Sequence, residues 1–125
     1  MRQIFQVPGV VAFMTMPKTV ETGHRQVWTW LFLKQPIAGG ANTLAMEWDV
    51  DCTAGTVHTV RTVVYQDATH MRTDAGPAAA AVPAAGTPGA VTMGAACTTE
   101  RPRTRPVPTL TAARASAAQL FAAQP

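Results

Sequence analysis

Residues 25–34, Arg-Gln-Val-Trp-Thr-Trp-Leu-Phe-Leu-Lys, constrain the fold of this chain more than any other stretch. Successive side chains of an extended segment point to opposite faces. Val27, Thr29, Leu31 and Leu33 therefore share one face, and Trp28, Trp30 and Phe32 share the other. Both faces are apolar, so the segment reads as a central strand covered on both sides. The alternative is that the aromatic face meets a partner chain.

Three further segments have strand character. Residues 43–51 alternate: Leu44, Met46, Trp48 and Val50 point one way, Glu47, Asp49 and Asp51 the other. That is the pattern of a strand with one buried and one wet face. Cys52 follows, then a tight turn at Ala54 and Gly55, then the Val/Thr-rich residues 56–66. The short link predicts an antiparallel hairpin. Residues 10–16 (VVAFMTM) form another β-rich run, closed by a turn at Pro17–Lys18, and Gly23 marks the next turn. Arg2 ahead of the apolar run 7–16 has the look of a short signal core. Pro8 and Gly9 interrupt that run and no Ala-x-Ala-like cleavage site follows, so it reads as a strand.

Beyond residue 74 the pattern changes. Pro77, Pro83 and Pro88 exclude a continuous helix over 74–89, which reads as an irregular loop. Pro88 suits the first turn of a short helix over 88–97. The prolines of residues 101–108 keep them extended. Thr109 or Thr111 caps a last helix over about 110–123, which is marginal alone and needs a docking surface.

At 125 residues and 47% hydrophobic, the chain is expected to fold as one domain with a modest core. Its net charge of +3 is unevenly placed. Residues 1–97 carry six cations (Arg2, Lys18, Arg25, Lys34, Arg61, Arg72) and six anions (Glu21, Glu47, Asp49, Asp51, Asp67, Asp74). Residues 98–125 carry Arg101, Arg103, Arg105 and Arg114 against Glu100 alone. A neutral body excludes a nucleic-acid-binding face there, since phosphate recognition needs clustered cations. The basic tail is a solvated segment or meets an acidic partner or anionic lipid. No apolar stretch reaches the roughly 20 residues that span a bilayer.

No residue set points to catalysis, to a metal or to a cofactor. Ser116 is the single serine and lies in the Ala-rich tail, a poor place for a nucleophile. His24, His58 and His70 are scattered, without His-x-x-x-His spacing and away from the cysteines. Neither phosphate-cradling glycine motif is present. Glu47, Asp49 and Asp51 line one strand face, an arrangement that suits Ca²⁺ or acid/base work. The plainer reading is a solvated face opposite Arg61 or His58 across the hairpin. Trp28, Trp30 and Trp48 are core or a stacking surface for a ligand.

The two cysteines, Cys52 and Cys97, are too far apart for a redox Cys-x-x-Cys motif and form no metal knuckle. They are a disulfide, worth roughly 4 kcal/mol for a loop of this length, or two buried free thiols. The order of motifs bears on the choice. VWTWLF (27–32), Asp-Cys at a strand end (50–52), a Val/Thr strand ending in Tyr65 and PGAVTMGAAC (88–97) together resemble the surface-adhesin protein E-like family of small bacterial envelope proteins. The resemblance covers about residues 10–97. It implies a Cys52–Cys97 disulfide, an antiparallel sheet with little helix, and export to the periplasm or outer surface. It also implies adhesin-like binding of other proteins. The chain departs from that pattern in showing no signal peptide and no lysine-rich stretch in the domain.

The expected fold is mainly β (α+β). Residues 1–97 form a disulfide-closed antiparallel sheet with a short tethered helix, and 98–125 an extended basic tail ending in a marginal helix. The expected function is a non-enzymatic envelope module that binds another protein, with Trp28, Trp30, Arg101, Arg103 and Arg105 as its binding surface. The alternative is an accessory subunit docked into a larger assembly through its tail. No cofactor, nucleic acid or membrane span is expected, and the sequence is compatible with a homo-oligomer or larger complex without specifying either.

Overall fold

A computed structural model describes residues 1–77, 79–98 and 104–124. They form one antiparallel sheet flanked by two helices. The strands are β1 (Arg2–Val7), β2 (Val10–Met14), β3 (Lys18–Glu21), β4 (His24–Leu33), β5 (Thr43–Asp51), β6 (Thr56–Gln66) and β7 (Thr69–Ala75). The helices are α1 (Pro88–Cys97) and α2 (Leu110–Ala122). The sheet runs β1-β2-β4-β5-β6-β7, and β3 pairs with β4 end to end with β2.

Turn chemistry fixes the hairpins. Pro8 and Gly9 link β1 to β2, with Gly9 at φ 87°, a left-handed conformation that favours glycine. At the β5–β6 turn, Asp51 Oδ1 accepts hydrogen bonds from the backbone N–H groups of Thr53 (3.0 Å) and Ala54 (2.9 Å). A carboxylate accepting backbone N–H groups in this way stabilises a tight turn.

The segment β4 is central, as its two apolar faces require. On one face, Val27 packs with Met14, Trp48, Val50, Val57 and Ala96 beneath α1. Thr29 and Thr92 are both buried, and their hydroxyls bond to each other at 2.9 Å, joining strand to helix without an unsatisfied polar atom. Thr87 caps α1, its Oγ1 accepting from the Ala90 N–H at 3.3 Å. On the other face, Phe13 and Phe32 meet edge to face at 5.9 Å, with Val11 beside them in the same cluster. The methyl groups of Ala113 and Ala117, one helical turn apart, are buried against this cluster. Their small size lets α2 lie close to the sheet.

The segment read as a tail thus supplies part of the core. Thr109, not Thr111, caps α2, accepting from Ala112 N–H at 3.1 Å. Upstream, Met1 and Val107 exchange backbone hydrogen bonds of 3.0 and 2.7 Å, and Pro106 bridges Arg2. Downstream, the Gly9 N–H donates to Gln124 Oε1 at 3.1 Å. Residues 104–124 therefore run from the start of β1 to its turn.

Cys52 and Cys97 are joined by a disulfide, with 5.6 Å between their Cα atoms. It ties the end of β5 to the end of α1, so α1 is held to the sheet at its last residue. The fold is the mainly antiparallel α+β arrangement expected from the sequence. Three strands were not: β1, β3 and β7. In the segment read as an irregular loop, Ala81 makes a two-way backbone bridge with Val57.

Candidate binding surface

The aromatic face of β4 is only half covered. Beneath α2 lie Val11, Phe13 and Phe32, and Trp30 sits at the margin of that cluster. Trp28 and Trp30 are both half-buried, whereas Trp48, on the opposite face, is 4% exposed. The structure thus separates the three tryptophans, one into the core and two onto an open half-sheet.

Neighbouring strands extend this surface. Trp30 stacks at a tilt on Tyr65 of β6, with ring centroids 5.6 Å apart, and Tyr65 meets His70 of β7 edge-on at 5.8 Å. Trp28 lies opposite Glu47, and Glu47 opposite Arg61. The Glu47 carboxylate is paired with Arg61 Nε at 3.0 Å and accepts from Gln26 Nε2 at 3.3 Å. Glu47 is 8% exposed, so the row Glu47, Asp49, Asp51 is not uniformly wet. Its burial is tolerable because both carboxylate oxygens have partners. The result is a shallow aromatic strip, Trp28, Trp30, Tyr65 and His70, edged by one ion pair.

At the far end of the same face stands His24, the first residue of β4. Its Nδ1 lies 3.3 Å from Asp49 Oδ1, and its Nε2 lies 3.4 Å from Asp51 Oδ2 and 3.7 Å from Glu21 Oε1. The hydrogen bond with Asp49 is the largest influence holding the imidazole above its ordinary pKa. The charges of Asp51, Asp49 and Glu21 add to it, and partial burial opposes it. His58, opposite Asp49, instead contacts the Pro77 carbonyl oxygen through Nε2 at 2.6 Å. Among the described residues, no group of three or more His, Cys, Asp or Glu side chains is arranged to hold a metal ion.

Of the cations assigned to a binding surface from sequence, Arg101 and Arg103 lie outside the described residues, and Arg105 is exposed beside Pro106. Arg114 is placed differently from Arg105. Its guanidinium stacks 5.6 Å from the centre of the Phe32 ring and donates to the Asp67 carbonyl oxygen at 2.7 Å. Sequence reasoning missed Tyr65 and His70 as members of the strip. In the sequence His70 is one of three scattered histidines, and only the β6–β7 pairing brings it against Tyr65.

A cavity of about 330 Å³ lies between α1 and the β1–β2–β4 part of the sheet, lined by Ile4, Val10, Ala12, Leu31, Pro88 and Val91. Thr29 also lines it, but its hydroxyl is engaged by Thr92. Ligand sites orient their guests with a few convergent polar groups, and this lining is almost wholly apolar. Among the described residues no helix is long and apolar enough to cross a membrane. No family model, curated protein or solved structure matches the chain.

Proposed function

We propose that this protein is a non-enzymatic module of the bacterial envelope, exported to the periplasm or outer surface, that binds another protein through its open aromatic strip. The observation that carries this reading is the half-covered face of β4: α2 shields Phe13 and Phe32 but leaves Trp28, Trp30, Tyr65 and His70 partly in water. Aromatic side chains with a polar edge, held rigid on a sheet, are the residue types that dominate protein interfaces. A disulfide suits an oxidising compartment, and the motif order resembling envelope adhesins points the same way.

Docking of the tail into a larger assembly has less to work with. The apolar side of α2 is already engaged with the chain's own sheet, and Arg114 is engaged with Phe32 and Asp67.

The test is site-specific photo-crosslinking in the native cell. A benzophenone side chain at position 28 is expected to capture a discrete protein. The same group at position 94, on an open surface of α1, is expected to capture none. Equal capture from both positions, or none from 28, would refute the assignment.

A further inference from the structure

The two long edges of the sheet are treated differently. The start of the β1 edge is covered by the chain itself, through the Met1–Val107 hydrogen bonds, the Arg2–Pro106 bridge and the Thr104 hydroxyl donating to the Gln3 carbonyl oxygen. The β7 edge is open: all seven residues, Thr69–Ala75, are exposed, and among the described residues β6 alone pairs with the strand. An open edge presents a row of unpaired N–H and C=O groups, a template for another strand.

The register of β7 says which groups face outward. The Gly76 N–H donates to the Val60 carbonyl oxygen at 3.1 Å, and Ala75 is the register partner of Arg61. Hydrogen-bonded and non-hydrogen-bonded pairs alternate along an antiparallel ladder. Asp74 and Arg72 therefore direct their backbone groups toward β6, whereas Ala75 and Thr73 direct theirs away from the sheet.

We propose that a second copy of this chain pairs antiparallel with β7 about a twofold axis through Thr73. The two Thr73 residues then exchange backbone hydrogen bonds, as their outward groups require. Arg72 of each copy falls opposite Asp74 of the other, in the non-hydrogen-bonded pairs where side chains approach most closely. Within one copy these two side chains already share a face, with Arg72 Nε 3.1 Å from Asp74 Oδ2. Pairing two copies makes a closed square of alternating charge. An axis through Arg72 would oppose Arg72 to itself, and one through Asp74 would oppose Asp74 to itself. Registers centred between residues set outward groups against inward ones. The favoured register is thus the one in which both hydrogen bonding and charge agree. A twofold axis perpendicular to the sheet also turns both aromatic strips to the same side, so the dimer is bivalent for whatever that strip binds.

Charge exchange on the full-length oxidised chain tests this, read by sedimentation equilibrium and native mass spectrometry. The native chain is expected to show a concentration-dependent monomer–dimer equilibrium. Arg72→Asp alone and Asp74→Arg alone each place like charges in both contacts and are expected to weaken it by about tenfold or more. An equimolar mixture of the two variants is expected to form the mixed dimer, and the double variant R72D/D74R to recover self-association. That recovery separates loss of pairing from loss of folding. A native chain monomeric at millimolar concentration would overturn the proposal. So would a dimer indifferent to both single substitutions, or single-variant losses that neither the mixture nor the double variant restores.

Discussion

Single residues set the tolerances of this fold, and Gly76 is the tightest. A Cβ placed there would come within 1.6 Å of the Thr59 carbonyl oxygen, a backbone atom that cannot rotate away. Gly76→Ala is expected to cost about 3 kcal/mol or more, because the β6–β7 ladder must shift to admit it. Urea unfolding of the oxidised protein measures this, and a loss under 0.5 kcal/mol would be inconsistent with the close approach. His24 gives a pH signature. Its folded pKa lies above the ordinary 6.5, so protonated His24 stabilises the fold. That contribution is complete below the unfolded value and is lost as pH rises through the folded one. The groups that face it are Glu21 from β3 and Asp49 and Asp51 from β5, all carboxylates. The native chain is therefore expected to lose stability above about pH 6.5 relative to His24→Gln. Parallel stability curves across that window would contradict it. That the carboxylate row faces Arg61 or His58 was legible from the hairpin; the pairing of Glu47 with Arg61 was not, because the register shifts between Glu47 and Trp48. Nor was the approach of His24, because it depends on the β4–β5 register.

At the level of elements, legibility followed burial. Strands β5 and β6 and helix α1 have the bounds read from sequence, since each carries a period that burial imposes or a clear capping signal. Strands β3 and β7 are exposed along their whole length, so no buried face writes a pattern into them. Strand β1 left a usable signal: Pro8-Gly9 sits between two apolar runs, as a hairpin turn does. The α2 helix was legible as a helix. Its docking site was not, because the residues it buries most completely are alanines, which carry little hydrophobic signal. Ala113→Leu is expected to lower stability by about 2 kcal/mol by forcing α2 away from Phe13 and Phe32. Ala115→Leu, on the exposed side, is expected to change it by no more than about 0.5 kcal/mol. Thermal unfolding of the two variants side by side distinguishes a docked helix from a loose one, and equal effects would mean a loose one.

For the whole molecule, one sheet carries three distinct surfaces: a face sealed by α1, a face half sealed by α2, and an open β7 edge. The long apolar segment β4 required cover on both sides, and the half that α2 leaves open is where the proposed partner binds. The disulfide closes a sequence separation of 45 residues across the proline-containing connection into α1. The C52A/C97A double variant is expected to lose roughly 4 kcal/mol, the loop-closure contribution for such a span. The same bond bears on where the protein works, since such a pair in a reducing compartment would remain as thiols. The most direct measurement is the thiol state of the protein taken from its native cell, alkylated before lysis and mapped by mass spectrometry without reduction. A linked Cys52–Cys97 peptide is the result expected of an exported module. Two alkylated cysteines would contradict the envelope assignment.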